Sequence, residues 1–471
     1  MPVTAGPVLI FRALDDSVLR LAALVLTDSA ESPPPELETE AGRVAPRLLA
    51  EIGGEGVWRF DFALPRGGRP SYSFDGVSHR VATDFDGDLR IGFVSCNGEE
   101  HGDLDRDEAE RNAMWRHMRE AHLQSPFHLI LHGGDQVYAD EVTRGHALSE
   151  SWPEDLEEAP GAEALDDLED HLRRGFLERY RLTYAGAGFA RMAAEVPALM
   201  IWDDHDICDG WGSLGEELAA HPIARRLFRA AREAFLLYQQ AATEDDVPAL
   251  FLDPKGRSLS FRRDLPGVSV IAPDLRSERG MERIMGPAGW QGFETAAEAP
   301  EERVLLVSSV PLLGPRLSIL ERLMNAIPTM QKYEDDLRDQ WQSRAHRAEW
   351  QRMLRRVLEI EAGGSDVTAL SGEIHLATRA TLDSPRGPVH QLVASGIAHR
   401  APPKAWAWML GTLARLGEAP LPEHPIRIAP LPGRGTNYTA ERNYLMLERE
   451  GGVWSARWAL EESGVTPALP I

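Results

Sequence analysis

From Leu89 onward the chain repeats one pattern: a short, unbroken apolar run that stops abruptly at Gly, Asp, Ser or His. Such runs mark strands buried on both faces. They are residues 91–94 before Ser95-Cys96-Asn97, 129–131 before His132-Gly133-Gly134-Asp135, and 198–202 before Asp203-Asp204-His205. Further on, 268–272 precedes Pro273-Asp274, 304–307 precedes Ser308-Ser309, and 367–370 precedes Ser371-Gly372-Glu373. Between the runs, residues 105–122, 168–184, 219–242 and 343–361 have helical spacing and are rich in Ala, Arg, Glu and Leu. An α/β layered core is therefore predicted. Residues 1–86 differ, alternating apolar and polar positions as in Val57-Trp58-Arg59-Phe60-Asp61-Phe62, with turns such as Arg66-Gly67-Gly68. They predict a small all-β domain ahead of the core. The acidic stretch 150–170 contains Pro153, Pro160 and Gly161, so its first half reads as a loop and only its end as helix.

The chemistry sits where the apolar runs end. Ligands of open α/β folds bind beyond the carboxyl ends of the strands, and polar clusters fall there in run after run. Asp203, Asp204, His205, Asp206 and Asp209 crowd acidic groups so closely that, without cations, their repulsion would be costly. Asp135 and Tyr138 are one helical turn apart, so a single turn could turn both toward one cation. Composition fits this reading. A net charge of -24 over 471 residues argues against a general nucleic-acid or anionic-membrane binder, yet a bound metal supplies local positive charge for an anionic substrate. Cys96 and Cys208 are the two cysteines and make no disulfide framework; Cys208 reads as structural. No apolar run approaches the roughly 20 residues of a transmembrane span. The N-terminus is a poor match to a secretory signal, so cytoplasmic residence is the default, with periplasmic or secreted residence if a leader was removed.

Five motifs together carry a resemblance: Ser95-Cys96-Asn97, Gly134-Asp135-Gln136-Val137-Tyr138-Ala139-Asp140, Ile201-Trp202-Asp203-Asp204-His205-Asp206, Leu370-Ser371-Gly372-Glu373-Ile374-His375 and Ala394-Ser395-Gly396-Ile397. In that order the chain resembles the PhoD-like phosphatases, the alkaline phosphatase D family of the calcineurin-like metallophosphoesterases. The resemblance implies an α/β sandwich of two β-sheets flanked by helices. With the N-terminal reading it divides the chain into a β-rich domain at 1–86, a catalytic domain at 87–400 and a completing C-terminal extension at 401–471. It implies Asp135 as a metal bridge, Tyr138 as a phenolate ligand and Cys96 as a thiolate ligand of ferric iron. Asp204 stands at the Asn of the superfamily's Gly-Asn-His motif, and His205 is the residue that assists the phosphoryl group. Asp209, Glu373 and His375 complete the expected ligands. Glu373 replaces an Asp common in the family, and no histidine follows the run 304–307. The cofactor expectation is two or more metal ions, Fe3+ with Ca2+, with Mn2+, Mg2+ or Zn2+ as alternatives.

Asp274, Arg276 and Arg279 form a further cluster, read either as a bidentate phosphate clamp or as an ion-pair network anchoring a loop. Arg276 is counted with Asp204 and His205 among the catalytic candidates, and Arg276, Arg279, His205 and His399 among the substrate-binding ones. The Ala405-Trp406-Ala407-Trp408-Met409-Leu410 stretch is expected to pack in the core as a C-terminal helix, or else to cap an apolar leaving-group pocket. Residues 312–333 read as a lid or an ordinary insertion. The expected reaction is hydrolysis of a small-molecule phosphate ester by a metal-bound hydroxide. Its rivals are a phosphodiesterase acting on nucleotide or phospholipid-type diesters or triesters, and a catalytically inactive metal- and phosphate-binding protein. Oligomeric state is not legible.

Overall fold

The structure is a computed structural model that describes residues 3–315, 339–415 and 417–471. Most of the lid-or-insertion segment, from residue 316, lies outside these described residues.

An eleven-stranded and a nine-stranded sheet make the body of the fold, with a four-stranded sheet to one side. The apolar runs are its centre. In the first sheet Leu89–Val94, Leu129–Gly133 and Ala198–Ile201 lie parallel, with Leu129 opposite Ile91 and Gly133 opposite Ile201. In the second, Val268–Ala272, Arg303–Ser308, Asp366–Ser371 and Val389–Val393 lie parallel, with Ser308 opposite Ser371 and Ser371 opposite Val393. Helices cover the sheets, which is why these strands are apolar on both faces. The Trp350, Met353, Leu354 and Val357 face of helix Arg347–Ala362, for example, is buried in the second sheet's core. The carboxyl ends of both parallel sets meet at one edge of the molecule. There Gly372, after a second-sheet strand, lies so near Ser95, after a first-sheet strand, that a Cβ would fall 2.1 Å from the Ser95 hydroxyl. Glycine alone fits that crossing.

The N-terminal region is all-β; four of its strands form the small separate sheet, and the other four join the eleven-stranded one. Val3–Leu14 pairs in parallel with Ala198–Ile201, and Val18–Thr27 and Glu55–Pro65 extend the same sheet. The division expected at residue 86 thus falls between strands of one continuous sheet with one apolar core. On the other flank, Asn443–Glu450 and Val453–Leu460 add to Leu89–Val94, so residues after 401 build into the first sheet as well as the second.

Two helices are more broken than their spacing suggests. The segment expected at 105–122 is split at Asn112 into Glu108–Arg111 and Ala113–Gln124. The segment expected at 219–242 contains the helix Pro222–Ala234 followed by a π-helical turn, Phe235–Gln239. That turn has a consequence, because Gln239 Nε2 donates to Asp206 Oδ1 at 3.0 Å and to Tyr180 Oη at 2.9 Å. Helix Ala162–Ala185 starts after Gly161, as the acidic loop reading requires. The tryptophan-rich stretch is a helix, Lys404–Ala414, but it is not a core helix throughout. Ala407, Leu410 and Ala414 are buried, whereas Trp408 is 70% exposed. A period near 3.6 can bury one face only, and Trp408 falls on the other.

Candidate metal centre

Asp135 opens a loop, and the loop is not the helical turn its spacing suggested. The carboxylate of Asp206 accepts from the backbone N–H of Asp135 (2.9 Å), Gln136 (2.9 Å), Val137 (3.3 Å) and Asp203 (2.9 Å). Those donors are thereby satisfied outside a helix, and the 3-10 turn begins only at Asp140. Gly134, at φ 104°, allows the close approach: a Cβ there would lie 2.6 Å from that of Asp203. Cys96 (φ 55°), Asp135 (55°), Glu373 (66°) and His375 (53°) are four of the eight non-glycine residues with positive φ among the described residues. Each such conformation costs on the order of 1 kcal/mol, and their concentration in one place is the mark of a functional site.

The loops bring together most of the residues singled out by sequence. Cys96 Sγ donates to Asp135 Oδ2 (3.3 Å) and lies 3.1 Å from Ser395 Oγ. Tyr138 Oη is 2.9 Å from His375 Nε2, and the phenol stacks on His205 with ring centroids 4.2 Å apart. His375 in turn stacks on His399 at 3.4 Å. His205 Nδ1 faces both oxygens of Asp140 (3.1 and 3.0 Å), whose Oδ1 also accepts from the backbone N–H of Asp209 at 2.6 Å. Glu373 accepts from Gln340 Nε2 at 2.7 and 2.8 Å. Asp204 Oδ2 accepts from the N–H of Gly210 at 3.1 Å. Cys208 is buried and free.

Arg276 is inside this cluster and fully buried. Its Nε pairs with Asp203; Nη1 donates to the Trp211 carbonyl and Asp339 Oδ1, both at 2.9 Å; Nη2 donates to Asp339 Oδ2 (2.6 Å) and Asp204 Oδ1 (3.3 Å). All five donors of the guanidinium are matched, which is the ion-pair alternative of the sequence reading. Arg279 differs. It donates to the Asp339 carbonyl and its Nε lies 3.1 Å from Asp339 Oδ1 in a buried ion pair, while its Nη1 is buried without a hydrogen-bond acceptor.

Electrostatics favour a cation here. Burial, reinforced by Asp203, holds the Asp135 carboxyl well above the usual carboxylate range. Burial raises Asp203 to about 6 against the pull of Arg276, and raises Glu373 further, aided by Asp339. The Cys96 thiol and Tyr138 phenol are pushed up chiefly by burial as well. His375 is lowered by burial and by His399, so its ring is neutral. His205 goes the other way: burial opposes protonation, but Asp140 and Asp204 outweigh it. A direct test of fit lies in two buried carboxylate oxygens, Asp135 Oδ1 and Asp203 Oδ2, which accept no hydrogen bond. Asp135, Asp203 and Asp204 each place an oxygen within 4.8 Å of the others, as do ligand atoms of Asp204, His205 and Asp209, and of Glu100, His375 and His399. Orphaned buried carboxylate oxygens of this kind suit a metal ion, which replaces the missing donors.

The description of the PhoD related phosphatase family matches residues 93–334, about half of the chain and the stretch that contains Cys96, Asp135, Tyr138 and Asp204. The chain belongs to that family. Among solved structures it is similar to PhoD, with a TM-score of 0.60 at 13% identity, covering 100% of this chain and 89% of that one. It is also similar to a purple acid phosphatase from yellow lupin (Lupinus luteus) seeds, with a TM-score of 0.54 at 9% identity, over 98% of this chain and 73% of that one. These likenesses agree with the mixed α/β fold. An uncharacterized protein of Saccharomyces cerevisiae, YGR266W, is 24% identical over 461 residues, 77% of this chain and 65% of that protein. The chain thus spans just under two thirds of that relative's length.

Four residues of the centre escaped the sequence-derived site. Asp203 belongs to the carboxylate trio, Asp140 holds His205, Glu100 lies 3.2 Å from His399 Nε2, and Asp339 clamps Arg276. The Asp203-Asp204 doublet and the Asp two residues after Tyr138 were signals for the first two; Glu100 and Asp339 stand in no pattern. Ser309, where no histidine follows the strand, donates to Asp203 Oδ1 at 2.8 Å instead.

Proposed function

We propose that the protein hydrolyses small phosphate esters at this centre. The observation that carries the reading is the buried carboxylate trio with two orphaned oxygens, beside Cys96, Tyr138 and His375, at the carboxyl ends of both parallel strand sets. Asp135, Asp203, Asp204 and Glu373 suit a hard cation such as Ca2+, and Cys96 and Tyr138 suit Fe3+. Cations held there lower the pKa of a bound water and offset charge on the phosphoryl oxygens. The chain's own residues do the rest. Asp140 keeps a proton on His205 Nδ1 and fixes the ring, leaving Nε2 for the phosphoryl group or the leaving oxygen. Arg276 holds Asp203 and Asp204 in place rather than receiving substrate, since its donors are all engaged. Arg279, whose Nη1 is buried without an acceptor, is the better candidate for a phosphoryl contact.

Helix Lys404–Ala414 favours a second reading of the substrate. Its buried face packs, with Trp406, against Ile374, between Glu373 and His375, an apolar wall that suits the larger leaving group of a diester. Turnover of 4-nitrophenyl phosphate and bis(4-nitrophenyl) phosphate by metal-replete protein tests both. Hydrolysis of either supports the enzyme reading, and preference for the second supports the diesterase. Tight phosphate binding without turnover of either ester would leave a binding protein.

A further inference from the structure

A basic cleft lies apart from the metal centre, in a chain whose net charge is -24. Helix Ala162–Ala185 presents His171, Arg174 and Arg179 at i, i+3 and i+8, which is one face. The 3-10 turn Asp140–Thr143, with Arg144 after it, closes the other wall, and Gly175 lets the two approach, since a Cβ there would lie 3.1 Å from that of Val142. The cleft is half open, with a volume of about 340 Å³.

The guanidinium groups in this cleft have donors to spare. Glu141 is gripped from both sides, Oε1 by Arg144 Nη1 and Oε2 by Arg179 Nη2, each at 2.7 Å. Arg179 is 5% exposed, and its Nη1 is buried without an acceptor. A buried donor on a cation that lacks an acceptor is costly, and an oxyanion would satisfy it. Arg174 lines the same cleft, is exposed, rests its aliphatic stem on Gly53, and has no ion-pair partner among the described residues. His171 Nε2 lies 2.8 Å from the Arg144 carbonyl, fixing the backbone that carries the third guanidinium. Glu141 and Glu178 also line the cleft, so three arginines face two carboxylates.

We propose that this cleft binds a free tetrahedral oxyanion of the size of inorganic phosphate, at a site separate from the metal centre. The anion takes the unmatched donors of Arg179, Arg174 and Arg144 and competes with Glu141 for the first and last. Glu141 follows Asp140, the residue that holds His205, so the ligand acts on the turn that supports the centre.

The test is calorimetric titration of inorganic phosphate into the full, metal-replete chain. Wild type is expected to bind in two classes, one at the metal centre and one at the cleft. Arg174→Glu, at an exposed position without a partner to lose, is expected to weaken the second class roughly tenfold or more and to leave the first unchanged. Glu141→Gln removes the competing charge and is expected to tighten the second class, a direction that general destabilisation does not produce. Identical isotherms for wild type and Arg174→Glu, a single class lost on metal removal, or no tightening in Glu141→Gln would each overturn the proposal.

Discussion

On one side of the centre, Asp203, Asp204 and Asp339 gather around Arg276, with Asp135 beside the first two, and a buried guanidinium balances part of the charge. On the other, Tyr138, His375 and His399 meet as rings linked by one hydrogen bond and by stacking, with Cys96 reaching across to Asp135 and Glu100 3.2 Å from His399. The first side is charged and held together by an internal cation, yet keeps two carboxylate oxygens unsatisfied. The second leans on the first through the Cys96 thiol, which donates to Asp135, and burial opposes ionisation of both that thiol and the Tyr138 phenol. The contrast separates two roles that a ligand list merges. Arg276 balances part of the carboxylate side, and the proposed metal would take the oxygens it leaves unpaired.

The largest effect should come from breaking the proposed bridging ligand. Asp135→Asn keeps the shape but removes the charge, and hydrolysis of a nitrophenyl ester is expected to fall roughly a thousandfold, the several kcal/mol that bound metal contributes to the transition state. Steady-state rates with metal content measured in parallel check it. Breaking the internal cation should act on folding instead. Arg276→Met leaves Asp203 with the Ser309 hydroxyl but no cation and Asp339 with Arg279 alone, and is expected to cost about 3–5 kcal/mol, read by denaturant unfolding.

A pH series sharpens the comparison. Burial raises Asp203 to about 6 and Asp206 to about 7, from an ordinary 3.8. The folded state therefore binds more protons than the unfolded state between the ordinary and raised values, and these two groups lose stability as pH rises through that window. A metal held by Asp203 would displace that residue's proton, so the Tm gain from metal over EDTA-treated protein should widen from about pH 5 to about pH 8. A gain independent of pH would count against a carboxylate-held metal. On the ring side, Tyr138→Phe removes one hydrogen bond to His375 and should cost about 1 kcal/mol of metal-free stability. Smallest of all, Trp408→Ser should change stability by no more than about 0.5 kcal/mol, because the ring is 70% exposed.

The apolar runs were legible because parallel strands covered on both faces need unbroken hydrophobicity. Leu89–Val94, Leu129–Gly133 and Asp366–Ser371 begin or end within two residues of where the pattern put them. The site was legible for a related reason: polar residues that follow such strands have one edge of the sheet to occupy. Pairing between distant strands was not. Nothing local in Val3–Leu14 tells that Ile10 will sit beside Ala198, so a stretch with ordinary alternation reads as a domain of its own. Likewise Asp135 to Tyr138 reads as a turn of helix until Asp206 arrives from 71 positions away in the chain to take its N–H groups. Asp339 and Glu100 reach the centre through tertiary contacts alone, with no spacing that sets them apart.

The most direct test of the centre is elemental analysis of purified protein with a visible absorption spectrum, repeated on Asp135→Asn and Tyr138→Phe. The expected result is at least two metal equivalents per chain, loss of metal in Asp135→Asn, and an iron-dependent visible band that disappears in Tyr138→Phe. A colourless protein that hydrolyses phosphate esters at full rate with less than one equivalent of metal would contradict the account.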